Sequence, residues 1–192
     1  MRGCLTDNDI SILNKATGLF ENKLIELYGN EDINQNYLTY LSEMSAIPFK
    51  PDFPQDFFLN PKSTQIMEEL EKNGTYNKIW ATFVEEESEA DEEIPIAISP
   101  EYEEPEREKY DIDVLNKNGD YLKCMLSKND TKKVTEILNR QADLGDINTL
   151  IIAGALKENM KKSDFENGLN KVVIAIGFYY DFVNMISNRK GK

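Results

Sequence analysis

The chain has 192 residues, of which 40% are hydrophobic and 30% charged, and its formal net charge is −13. This length fits one domain that buries about 70% of the surface of its unfolded chain, and the composition is typical of a folded protein. The acidic balance argues against binding to nucleic acid through its phosphates and to anionic membrane surfaces, because both need clustered Lys and Arg.

Two helices are predicted at the start of the chain. Thr6 or Asp7 can cap the first, whose apolar residues recur at helical spacing until Gly29 supplies a stop. The second is predicted over 31–44, where apolar residues again recur at helical spacing.

The stretch 48–58 is rich in proline and phenylalanine, so it cannot be helical throughout, and we expect it to pack over the core as a strap. Asn60 then caps a third helix with Pro61 at its first position, where proline is favoured. The Asn73-Gly74 pair ends this helix, and a fourth short helix is predicted over 76–84.

The charge of the chain is concentrated in residues 85–113, here called the acidic segment. Fourteen of its 29 residues are Asp or Glu, and only Arg107 and Lys109 oppose them, whereas the rest of the chain holds 21 acidic and 20 basic residues. Ile94, Ile96 and Ile98 alternate inside it, a pattern that predicts an extended strand.

The stretch 110–126 allows two interpretations. The Asn118-Gly119 pair lies between two apolar runs, which is a strong signal for a β-hairpin. A helix that begins near Asp120 fits the same residues, and the sequence leaves the two open.

Three further helices are predicted towards the end of the chain. The first begins near Asp130 and stops at Gly145, and Asp146 caps the second. The last opens with a capping box over 163–166 and continues to residue 186 as the central buried helix, because its apolar residues cover more than one face. Two glycines that cost helix propensity are expected to permit close helix contact, namely Gly168 and Gly177.

These elements predict a mostly α fold, a single helical domain over 1–192 with six to eight helices, one long acidic insertion and room for one short β-hairpin. The insertion, 85–113, separates the helical halves 1–84 and 114–192.

Cys4 and Cys124 are the only cysteines. No disulfide framework is indicated, so both are expected to be free thiols of a cytoplasmic protein. A minor alternative is a lipid anchor on Cys4.

The longest apolar run, 172–180, is too short to span a bilayer. The oligomeric state is left open.

No catalytic motif is apparent. The chain contains no histidine, which removes the Ser-His-Asp and Cys-His systems and nearly all zinc hydrolase sites. No glycine-rich nucleotide motif is found either, and a calcium loop around Gly119 fails because Val114 and Met125 would be its ligands. We therefore expect no enzyme, metal or cofactor, although a metal-dependent activity carried by carboxylates alone stays open.

The acidic segment allows three interpretations: a solvated loop, a contact with the mildly basic half 114–192, or an interaction surface. Its isoleucines, tyrosines and prolines favour recognition. Small acidic proteins of this kind often neutralise basic enzymes, so the predicted function is an acidic inhibitor, or immunity-like protein, of a basic partner such as a nuclease or nucleic-acid-handling enzyme. The alternative is a helical regulatory or structural adaptor whose acidic segment is only a solvated loop. The residues predicted to bind the partner are Glu85, Glu86, Glu87, Glu89, Asp91, Glu92, Glu93, Ile94, Ile96, Ile98, Glu101, Tyr102, Glu103, Glu104, Glu106, Glu108 and Tyr110.

Overall fold

The computed structural model describes residues 1–46, 53–54, 56–82, 113–144 and 149–190. Residues 188–190 are described by their backbone alone. Within the described part the chain is mostly helical, with one short two-stranded antiparallel sheet, so the predicted fold class is confirmed. The elements are α1 (Asp7–Tyr28), α2 (Ile33–Met44), α3 (Pro61–Lys72), α4 (Tyr76–Ile79), β1 (Trp80–Thr82), β2 (Asp113–Leu115), α5 (Asp120–Lys128), α6 (Lys132–Leu144), α7 (Thr149–Asn159), a 3₁₀ turn (Lys162–Glu166), α8 (Gly168–Ile174), a π turn (Ala175–Tyr180) and α9 (Asp181–Lys190).

The first helix begins and ends where its sequence predicts. Thr6 caps α1 in a full capping box with Asp9, and Gly29 ends it with a left-handed φ of 60°. Asn60 likewise caps α3 by accepting hydrogen bonds from two backbone N–H groups, with Pro61 at the first helical position.

The described residues of the aromatic stretch before α3 cover the core, as predicted. Phe53 stacks on Phe57 with ring centroids 4.8 Å apart, and Phe58 stacks on Tyr179 of the π turn at 5.6 Å. The Tyr179 hydroxyl also donates to the Phe57 carbonyl at 2.8 Å, which fixes the strap to the centre of the fold.

The predicted fourth helix is wrong in its second half. It ends at Ile79, and Trp80–Thr82 forms β1, which pairs antiparallel with Asp113–Leu115. The Asn118-Gly119 hairpin does not form, because Asp120–Lys128 is α5 and β2 pairs with β1 instead. A strand can pair with a segment that is distant in sequence, and the spacing of apolar residues does not predict which segment that is.

The last helix is the centre of the fold, as expected, but it starts later. The predicted capping box over 163–166 is wrong: these residues lie in the 3₁₀ turn, where Asp164 accepts from the Lys161 N–H, and Asn167 caps α8 by accepting from the Leu169 N–H. Gly177 permits no close helix contact, since a Cβ there would meet nothing within 4 Å, and the same holds at Gly168. Close approach occurs instead at Gly119, whose added Cβ would overlap the Lys78 carbonyl oxygen.

The expectation of free thiols is wrong. Cys4 and Cys124 are joined in a disulfide, with their Cα atoms 5.4 Å apart. The segment before α1 folds back onto α5, which a sequence separation of 120 residues does not reveal. The predicted stop at Gly145 and cap at Asp146 lie outside the described residues.

Candidate functional site at the base of the acidic segment

The residues predicted to bind a partner, from Glu85 to Tyr110, all lie outside the described part of the chain. What the structure describes is the base of the acidic segment, where the chain leaves the helical body after Thr82 and returns to it at Asp113. The base consists of β1, β2 and the side chains that hold them.

The two strands bring the ends of the acidic segment together. Thr82 is the register partner of Asp113, and Trp80 is that of Leu115. The Thr82 hydroxyl donates to Asp113 Oδ1 at 3.0 Å, and the Asn116 N–H donates to the Ile79 carbonyl at 2.8 Å. The residues that flank 83–112, Thr82 and Asp113, are therefore held side by side on the body.

Asp113 is also held from α4. The Tyr76 hydroxyl donates to Asp113 Oδ2 at 2.6 Å and lies 2.9 Å from the side-chain oxygen of Asn184 on α9. Asn184 is buried. This contact joins the second strand to the central helix, so the sheet is supported by side chains as well as by its own backbone.

A second carboxylate lies behind the sheet. Asp181, the first residue of α9, accepts hydrogen bonds from Trp80 Nε1 at 3.1 Å and from Thr149 Oγ1 of α7 at 2.9 Å. Burial raises the pKa of Asp181 and outweighs the two donors, which lower it, while the nearby Asp113 charge raises it further, so that the pKa reaches about 6. The base therefore contains a carboxylate that changes charge just below neutral pH.

Behind α4, Asp9 is 1% exposed and pairs with Lys78 at 2.6 Å, and it also accepts from the Thr75 hydroxyl at 2.8 Å. This pair holds the start of α1 against the helix that leads into β1. The base is thus tied to α1, α7 and α9.

These groups do not form a metal site. Among the described residues, no group of three or more His, Cys, Asp or Glu side chains could hold a metal ion. The two carboxylates at the base are instead occupied by hydroxyl and indole donors, so their role in the described part is to position the strands.

A shallow groove of about 500 Å³ lies between α1 and the start of α3. Lys23 and Lys62 line it together with Glu26 and Asp56. Burial lowers the pKa of Lys23, whereas Asp56 and Glu26 raise it. Because both signs of charge are present, the groove does not select a cation or an anion.

Two large apolar side chains are exposed on neighbouring helices. Leu144 at the end of α6 is 64% exposed, and Ile151 in α7 is 67% exposed. Helices α6 and α7 pack against each other. Exposed apolar side chains of this size are commonly found at sites that bind other proteins when they form a contiguous patch.

One helix in the described residues, Gly168–Ser187, is long and apolar enough to cross a membrane by length and composition alone. Its mean hydropathy reaches 1.2, but 61% of that window is buried inside the protein. The core helix of a soluble protein passes the same test, so this finding is weak evidence for a membrane span.

Comparisons with protein-family models, with curated proteins and with solved structures give no match to this chain. Sequence reasoning missed the roles of Asp9 and Asp181, because their partners come from elements distant along the chain. The only local signal was the spacing of Thr6 and Asp9, which fits a capping box.

Proposed function

We propose that this protein is an acidic inhibitor, or immunity-like neutralising protein, that binds a basic protein partner such as a nuclease or a nucleic-acid-handling enzyme. In this proposal the acidic segment occupies the basic surface of the partner, and the chain needs no catalysis, metal or cofactor of its own. The observation that carries the proposal is the concentration of acidic residues in 85–113, a stretch whose two flanking strands pair with each other at Thr82 and Asp113.

The distribution of charge supports this reading. Residues 83–112 hold thirteen acidic and two basic residues, a formal charge of −11, out of −13 for the whole chain. A concentrated field of one sign accelerates the encounter with a partner of the opposite sign, typically by 10- to 1,000-fold. A body that is nearly neutral would leave this field uncancelled.

The apolar residues inside the segment also support the proposal. Ile94, Ile96 and Ile98 alternate with Pro95 and Ala97, and Tyr102 and Tyr110 follow. Apolar and aromatic side chains in the middle of a charged surface are typical of energetic anchors, whereas flanking charges mainly set the rate of association.

The proposal is tested by pull-down from the native host with three forms of the full chain. One is the wild type, the second has every Glu between 85 and 108 changed to Gln, and the third carries Ile94→Ser, Ile96→Ser and Ile98→Ser with its charges intact. We expect the wild type to retain a partner of high isoelectric point and the Glu-to-Gln form to lose it.

Surface plasmon resonance on the retained partner then separates charge from apolar contact. The Glu-to-Gln form should associate at least about tenfold more slowly, and the wild-type rate should fall as salt rises from about 0.05 to about 0.5 M. The Ile-to-Ser form should dissociate faster without a change in salt dependence. Retention of every partner by the Glu-to-Gln form would overturn the proposal.

A second function, a helical regulatory or structural adaptor, is favoured by the exposed side chains of Leu144 and Ile151. In that case the acidic segment would be only a solvated loop. The partner would then be retained after the Glu-to-Gln change and lost after Leu144→Ser with Ile151→Ser.

A further inference from the structure

The two cysteines of the chain join its N-terminal segment to a helix 120 residues further along. Cys4 belongs to the short segment before α1, and Cys124 lies in α5. Their Cα separation of 5.4 Å is within the usual range for a disulfide. Among the described residues no cysteine is left free.

The two sulfurs have different environments. Cys4 is partly exposed, whereas Cys124 is completely buried among the core residues of α5. A reductant in solution can therefore approach the bond from the Cys4 side. Gly3, directly before Cys4, has a φ of 90°, which only glycine adopts readily and which turns the chain back towards α5.

The same surroundings can accept the reduced form. The Met1 carbonyl oxygen lies 3.1 Å from Cys4 Sγ and 3.5 Å from Cys124 Sγ. Two thiols in these positions would have a hydrogen-bond acceptor, so reduction does not leave them without a polar neighbour.

The bond lies next to contacts that reach the base of the acidic segment. Thr6, two residues after Cys4, caps α1 and donates from its N–H and hydroxyl to Asp9. Asp9 in turn binds Lys78 of α4, and α4 leads directly into β1. These contacts connect the first segment to the start of α1 and, through Lys78, to α4.

We propose that Cys4 and Cys124 form a reversible redox staple, which a dithiol reductant opens in the folded protein and whose opening loosens residues 1–5 and the first turn of α1. A thiolate of the reductant attacks Cys4 Sγ, and Cys124 leaves as a thiolate that takes up a proton. The second thiol of the reductant then attacks the mixed disulfide and releases Cys4 as a thiol. The protein gains two electrons and two protons, and the dithiol becomes a cyclic disulfide.

This proposal stands apart from the proposed inhibitor function, since it makes no use of the acidic segment. It also leaves the cytoplasmic location as a prediction, because a reversible pair can be reduced in a reducing compartment and oxidised outside it.

The first test counts thiols on the full chain by maleimide labelling and mass measurement. After oxidation in air, the denatured protein should bind no maleimide. After treatment of the folded protein with dithiothreitol and removal of the reagent, it should bind two. Labelling of two thiols in the air-oxidised protein would overturn the pairing, and reduction that needs denaturant would overturn the reversible staple.

The second test uses hydrogen exchange and thermal unfolding with and without dithiothreitol. Reduction should increase exchange at residues 6–10 at least about tenfold and lower the apparent Tm on the order of 10 °C, because the bond closes a long loop. Cys4→Ser, which leaves the buried Cys124 in place, should unfold like the reduced wild type and should not respond to dithiothreitol. If exchange at residues 6–10 is the same in both redox states, the coupling to α1 is refuted.

Discussion

Replacing Asp9 by Asn removes a buried carboxylate that holds the start of α1 to α4. Its oxygens accept from Lys78 Nζ at 2.6 Å, from the Thr6 N–H at 3.0 Å and from the hydroxyls of Thr6 and Thr75 at 2.6 and 2.8 Å. An Asn side chain offers one acceptor oxygen and brings two donors of its own. Asp9→Asn should therefore leave Lys78 facing a neutral group in a poorly hydrated place.

The size of the effect follows from the titration of Asp9. Burial alone would raise its pKa, but the hydrogen bonds from Lys78, Thr6 and Thr75 outweigh burial and lower the pKa from 3.8 to about 2. At 1.36 kcal/mol for each pKa unit, the charged form contributes about 2 kcal/mol to the free energy of unfolding. Because the folded pKa lies below the unfolded one, this contribution is complete above about pH 5 and is lost as the pH falls to about 2.

Denaturant unfolding measures this contribution, and Trp80, the only tryptophan and 2% exposed, reports the transition by its fluorescence. At pH 7, Asp9→Asn should lower the free energy of unfolding by at least about 2 kcal/mol. The difference from the wild type should shrink by about 1 kcal/mol at pH 3. Asp7→Asn, an exposed change in the same turn, is the matched control and should alter stability by less than about 1 kcal/mol. A wild type and Asp9→Asn variant that lose stability in parallel between pH 5 and pH 2 would refute the reasoning.

Two more changes probe the same region. Asp181→Asn mimics the protonated acid, whose pKa is raised from 3.8 to about 6. Relative to the wild type it should raise the Tm at pH 7.5, where the folded wild type buries a charge, and leave it nearly unchanged at about pH 3, below the pKa of the unfolded carboxyl; equal shifts at the two pH values in thermal unfolding would count against this account. Gly119→Ala should cost about 1–3 kcal/mol in denaturant unfolding because its Cβ would overlap the Lys78 carbonyl oxygen. The control Gly18→Ala in α1, where nothing lies within 4 Å, should instead stabilise by up to about 1 kcal/mol, and a loss at Gly18 as large as that at Gly119 would contradict the steric explanation.

Sequence reasoning succeeded where the deciding contacts are local. Thr6 caps α1 through Asp9, three residues away, and Asn60 caps α3 through Lys62 and Ser63. Such contacts lie within one turn, so the spacing of residue types predicts them. The mostly helical fold class followed from many signals of this kind.

It failed where the deciding partner is distant in sequence. Trp80 continues the helical pattern of α4, yet it is in a strand because Leu115 pairs with it. The disulfide of Cys4 and the raised pKa of Asp181 have the same origin, since each depends on elements brought together only by the fold. None of these partners can be identified from one sequence by periodicity.

The non-local contacts also explain how so short a sheet can anchor so long a segment. Closing a loop the length of residues 83–112 costs about 3 kcal/mol in chain entropy beyond a constant term, and an isolated two-stranded sheet is marginal at best. The register pair of Thr82 and Asp113 is therefore insufficient alone. The Tyr76 hydroxyl donates a hydrogen bond to Asp113, and Trp80 Nε1 donates one to Asp181. We infer that these side chains, rather than the strands, hold the ends of the acidic segment together. Tyr76→Phe should therefore weaken the proposed binding of a basic partner in the pull-down, although every acidic residue stays in place.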